Sequence, residues 1–183
     1  QNVEAVHSAC EAAGLATVVP TGLYKEALQP QWALDASVSE LADWMTRHLV
    51  DGMDGTDRRA GFIKLAVTDD GVTPQEDKVL EASVRVSMAT GAPIACHSPV
   101  GANALHQIGM IQALGGDPSR YIQIHAHAES NFDTHLEILR RGAWIEYDGI
   151  GGGMAASFFA DLTRKVFDAG FGGRILISQD VCG

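Results

Sequence analysis

Short apolar runs alternate with longer stretches in which apolar residues recur at every third or fourth position. The runs Leu15–Val19, Ala60–Val67, Pro93–Cys96, Tyr121–Ile124, Ala143–Tyr147 and Arg174–Gln179 read as buried strands. The stretches between them read as helices with recognisable ends. Val3, Val6, Ala9, Cys10 and Ala13 share one helical face, which Gly14 closes. Ser37 with Glu40 forms a capping box for a helix through Leu41, Trp44, Met45, His48 and Leu49. Thr73 caps a helix that has Pro74 at its first position and runs to Gly91. Further helices are expected over 101–114, 131–141 and 156–169, with loops at 20–24, 52–59, 117–119 and 149–153. Six strands alternating with helices, with no internal repeat and no linker, predict one parallel α/β domain over residues 1–183, either a barrel or an open sheet.

Composition narrows the setting. At 183 residues, with 46% hydrophobic and 20% charged content, the chain can bury a single sizeable core. A formal net charge of −10 argues against nucleic acid and anionic membrane as partners. No apolar stretch approaches the roughly 20 residues of a membrane span. Cys10, Cys96 and Cys182 are odd in number and form no CxxC pair, which fits a reducing compartment. The cytoplasm is the expected location, with the periplasm as the alternative.

Candidate chemistry sits at the strand ends. Lys64 interrupts an apolar strand, and an ammonium stripped of water costs several kcal/mol unless it is paired or neutral. Three later strands each end on a metal-competent side chain: His97, His125 (with His127 two residues on) and Asp180. In βα-repeat proteins the C-terminal strand ends share one rim, so these residues form a metal-site constellation. Four such ends aimed at one point favour a (β/α)₈ barrel over an open sheet. Such a barrel needs about 250 residues and eight strands. The chain is therefore expected to be short of two initial strands and the final helix, with sequence preceding Gln1, and to fold poorly alone. The glycines at 149–153 match no phosphate-binding pattern. His48, His106 and His135 fall on helices and are expected at the surface or partly packed. Cys182 could line the pocket or be a loop thiol.

Several stretches resemble the phosphotriesterase family of the amidohydrolase superfamily: Asn2-Val3-Glu4-Ala5, Thr21-Gly22-Leu23-Tyr24, Gly55-Thr56 with Arg59-Ala60-Gly61-Phe62-Ile63-Lys64, Cys96-His97-Ser98, Gly142-Ala143-Trp144 to Asp148-Gly149, and Ile175 through Asp180. The resemblance implies a (β/α)₈ hydrolase with two divalent ions, zinc first, with manganese, cobalt or iron as alternatives. It implies that Lys64 is carbamylated and bridges both ions, that His97 and His125 hold the more exposed ion, and that Asp180 holds the buried one and accepts the proton of the bridging hydroxide. His127 competes with His125; taking His125 as ligand leaves His127 behind the ligands or facing substrate. Tyr24 falls where lactonases of the family carry a tyrosine near that hydroxide, and could equally be a loop aromatic. No His-x-His pair precedes Lys64, and Gly149 follows Asp148 where phosphotriesterases carry a histidine. The expected substrate is a small ester, lactone or carboxylic ester ahead of organophosphate, and the expected assembly a homodimer. The alternatives are an amidase-type member of the superfamily, or a metal-binding but inactive homologue or fragment.

Overall fold

Helix caps fall where the residue types put them. The computed structural model describes residues 2–180. Helix α1 (Val3–Ala12) starts with the Asn2 side chain accepting from the Ala5 amide. Both capping boxes form, Ser37 with Glu40 ahead of α3 (Val38–Val50) and Thr73 with Glu76 ahead of α4 (Pro74–Thr90). A five-residue helix, α2 (Gln31–Asp35), precedes α3; it has no side-chain cap, and no sequence signal marked it. Helices α5 (Gly101–Ala113), α6 (Phe132–Arg140) and α7 (Ala156–Asp168) complete the set.

The strands are β1 (Pro20–Thr21), β2 (Phe62–Ala66), β3 (Ile94–His97), β4 (Tyr121–Ile124), β5 (Trp144–Tyr147) and β6 (Ile175–Ile177). They pair in parallel in chain order, β1 to β6, so every C-terminal end lies on one side. Register sets Lys64 beside Ala95, His97 beside Ile124 and Tyr147 beside Ile177. Two expectations need correction. Leu15–Val19 is not a strand: Leu15 and Val18 are 64% and 68% exposed, and the ladder begins only at Pro20 opposite Phe62. Apolar content alone does not make a strand without a neighbour to receive its backbone groups. Strand β6 is also shorter than the run from Arg174 to Gln179.

The core lies between the sheet and its helices, where Ile63, Leu80, Ile108, Ile138 and Ile145 are fully buried, each contributing about 1.5–3 kcal/mol on removal from water. Several polar groups within it are paired. The Tyr121 hydroxyl donates to Gln107 Oε1 at 2.5 Å, and Gln107 Nε2 donates to Cys96 Sγ at 3.2 Å. Burial pushes the Cys96 thiol up to about 11, which makes it an inert core residue. His135, expected at the surface or only partly packed, is fully buried. Its Nε2 donates to the Glu129 carbonyl at 2.9 Å, which leaves Nδ1 to accept from the Tyr147 hydroxyl at 2.7 Å. It shares the α6 stripe of Ile138 and Leu139, three and four residues on.

Behind Lys64, Gly22 brings the β1 loop directly against the strand. Its φ is +120°, and a Cβ there would overlap the Lys64 carbonyl oxygen. Only glycine combines that backbone angle with that approach.

Candidate functional site

A cavity of about 580 Å³ opens at the C-terminal strand ends. Strand β2 gives it Lys64, the loop after β1 gives Tyr24, and His97 ends β3. Immediately after β4, His125 adopts the left-handed backbone conformation (φ +65°). The chain then enters a short 3₁₀ turn, Ala126–Ala128, instead of extending the strand. The turn returns His127 to the cavity that His125 faces, so the two histidines do not point to opposite sides as on an extended strand. Asp148 follows β5. Asp180, also at positive φ (+46°), lies beyond β6.

Donor atoms of His125, Asp148 and Asp180 lie within 4.8 Å of one another. His125 Nδ1 is 2.7 Å from Asp148 Oδ2 and 3.9 Å from Asp180 Oδ2. His127 Nδ1 is 3.0 Å from Asp148 Oδ1, yet both atoms are buried without a hydrogen-bond partner, because distance is met and direction is not. Buried polar atoms are rarely left this way. One imidazole and two carboxylates whose donor atoms converge this closely fit a divalent cation, whose ligands are neutral histidine nitrogens and carboxylate oxygens.

Lys64 and His97 line the same cavity outside that tight donor group. Lys64 Nζ donates to the Leu65 carbonyl at 3.0 Å and sits 5.5 Å from the centre of the Tyr24 ring. Burial lowers its pKa, opposed by the surrounding Cys96, Asp180, Glu146 and Asp148. The His97 ring stands edge-on to His125 with centroids 4.4 Å apart. Burial, with His125 second, pushes His97 down to about 4, so it is a neutral imidazole at pH 7. Tyr24 Oη lies 3.1 Å from His97 Nδ1, and burial raises its pKa, so it remains a protonated phenol.

Three acidic residues beyond the expected set also line the cavity: Asp148, Asp69 and Glu146. Asp69 accepts from Lys25 Nζ at 3.0 Å and lies 3.8 Å from His97 Nε2. Glu146 accepts from the Ser178 hydroxyl at 2.6 Å. Glu146 carries the signal that singled out Lys64, a charge inside an otherwise apolar strand. Asp148 carries the signal that singled out Asp180, an acid closing one. Cys182 lies outside the described residues. A separate cavity of about 320 Å³, bordered by α4 and α5, is lined by Val84, Met88 and Ile111 with Asp117 and Arg120 and contains no metal-competent cluster.

The profile of the Phosphotriesterase family matches residues 1–183. The phosphotriesterase homology protein of Escherichia coli is 33% identical over 174 residues, which cover 92% of this chain and 59% of that protein. The aryldialkylphosphatase of Saccharolobus solfataricus is 28% identical over 185 residues, covering 100% of this chain and 59% of that protein. The crystal structure of the E. coli protein, complexed with phosphate in its active site, superimposes with a TM-score of 0.92 at 29% identity, over 99% of this chain and 63% of that one. The chain thus spans about three-fifths of the length of these relatives, and its six-stranded parallel sheet with its helices superimposes on part of the α/β barrel of the solved relative.

Proposed function

The chain belongs to the phosphotriesterase family, and from that premise we propose that it is part of a metal-dependent hydrolase of small esters, acting on lactones or carboxylic esters ahead of organophosphates. The observation that carries this reading is the convergence of His125, Asp148 and Asp180, with a buried Asp148 oxygen left without a hydrogen bond. A pair of divalent cations, when bound, lowers the pKa of a water and polarises the scissile carbonyl oxygen.

The residues divide the remaining work. His97 and His125 would hold the more exposed ion and Asp180 the more buried one. The neutral state of His97 leaves it a lone pair to donate. Asp148, 2.7 Å from His125 Nδ1 and 3.0 Å from His127 Nδ1, would orient both rings beside the ions. Lys64, its amine made easier to deprotonate by burial, would help hold the ions as its carbon dioxide adduct, a carbamate. Asp180 also accepts the proton of the attacking water. Tyr24 supplies a neutral hydroxyl over the site, suited to donating a hydrogen bond to the carbonyl oxygen. Gly149 gives no side chain to carry a proton away behind Asp148, which favours the ester over the phosphotriester.

Metal analysis of the full-length protein, alongside assays on lactones, aryl esters and aryl dialkyl phosphates, tests the reading. Two ions per chain and turnover of the first two classes are expected. Lys64→Ala should lose both metal and turnover, with formate or acetate restoring part of each. Wild-type protein that binds two ions and hydrolyses none of the panel is the inactive homologue, and Lys64→Ala that keeps both ions removes the carbamate.

A further inference from the structure

Glu76 is a carboxylate only 3% exposed, and the four donors that meet it are all neutral. Thr68 gives its amide to both oxygens at 3.0 Å and its hydroxyl to Oε1 at 2.8 Å. The Thr73 amide reaches Oε2 at 3.1 Å, and the Glu26 amide reaches Oε1 at 3.2 Å. The Thr73 contact is half of the capping box and needs no other explanation. The other contacts run elsewhere, to the loop after β2 and to the loop after β1. A buried anion costs several kcal/mol unless its hydrogen bonds are complete. A helix cap alone does not call for that expense.

The two loops that Glu76 joins are the ones that carry Tyr24 and Asp69 into the cavity. A second tie runs in parallel from the neighbouring residue of α4. Gln75 Nε2 donates to Gln29 Oε1 at 2.7 Å, and Gln29 Nε2 donates to the Tyr24 carbonyl at 2.8 Å. Lys25 and Asp69 bridge the same loops at the cavity rim. Asn103 Nδ2, on α5, donates to the Thr68 carbonyl at 3.0 Å and so holds the second loop from its far side.

We propose that Glu76 is a positioning residue: its buried carboxylate clamps the β1 loop to the β2 loop and so fixes Tyr24, with its ring beside Lys64 and its hydroxyl against His97. The inference rests on the proposed role of Tyr24 only for its catalytic consequence; the clamp itself stands on the hydrogen bonds. Glu76 touches no substrate and no metal ligand. It acts through the amide of Glu26, two residues beyond Tyr24.

Glu76→Gln puts an amide N–H where one carboxylate oxygen faced N–H donors. In the full-length protein, hydrogen exchange of the segment 23–29 should accelerate at least about tenfold, the order expected for one lost bond to a charged acceptor. Exchange in α6 should stay unchanged. Gln75→Ala should shift the same segment less. With a hydrolysed ester in hand, Glu76→Gln should lower kcat/KM about tenfold, and Tyr24→Phe/Glu76→Gln should be no slower than Tyr24→Phe alone. A purely structural Glu76 would instead multiply the two losses, which overturns the proposal. Unchanged exchange over 23–29 in folded Glu76→Gln overturns it as well. Should that variant not fold, Glu76→Asp, whose shorter arm cannot reach both loops at once, carries the test, and unchanged exchange over 23–29 in it sinks the clamp. If no ester is turned over, the hydrolase reading fails while the exchange measurement still decides the clamp.

Discussion

Asp148 places one carboxylate against the Nδ1 atoms of two histidines, 2.7 Å from His125 and 3.0 Å from His127. Asp148→Asn should therefore lower metal affinity about 10- to 100-fold without unfolding the chain, read by competition with a chelator of known affinity. His97→Asn and His125→Asn should each cost metal outright, while His127→Asn stays near the wild-type content. The reverse order for His125 and His127 would exchange their roles. Lys64, His97, His125 and Asp180 were legible in the sequence because each is a polar group within or at the end of an apolar run. Asp148 ends such a run too, but an acid at a strand end is ordinary until something is seen to face it. What faces it follows from the left-handed turn at His125, and no local pattern of residues encodes that turn.

The elements follow the same division between local and distant causes. The capping box at Ser37 and the threonine cap at Thr73 were readable because a cap is made by residues within one turn of each other. The segment 15–19 was misread because a strand requires a neighbour, and its apolar side chains fit a strand and an extended connection alike. His135 was misread because a lone histidine on a helix says little; its spacing to Ile138 and Leu139 was the available clue. Its partner offers a test of how β5 is held to α6. Tyr147→Phe leaves a buried imidazole nitrogen without its donor and should destabilise the protein by about 1–3 kcal/mol, measured as a shift in the urea midpoint at unchanged slope. No shift would mean that water or a rotated ring replaces the bond.

Over the whole molecule, burial lowers the pKa values of His48, His97, His127 and His135, with His97 at about 4. The unfolded chain takes up protons near pH 6.5, where these native imidazoles stay neutral, so stability rises with pH across that window. It is complete above about pH 6.5 and is lost progressively toward the native pKa values. Metal-free protein should accordingly melt at a lower temperature at pH 5 than at pH 7.5; a flat or opposite trend contradicts the burial assigned to these rings. The consecutive strand order brings the ends of successive βα units to a common rim, and that rule is what made Lys64, His97, His125 and Asp180 candidates from the sequence. Of the non-glycine residues at positive φ, His125 and Asp180 are candidate ligands, and the third is Asp54. Each such residue costs about 1–2 kcal/mol relative to glycine. A library of variants sorted for thermal resistance alone would therefore tend to replace those two candidate ligands with glycine early. Hardening this scaffold requires holding both positions fixed and gaining stability elsewhere.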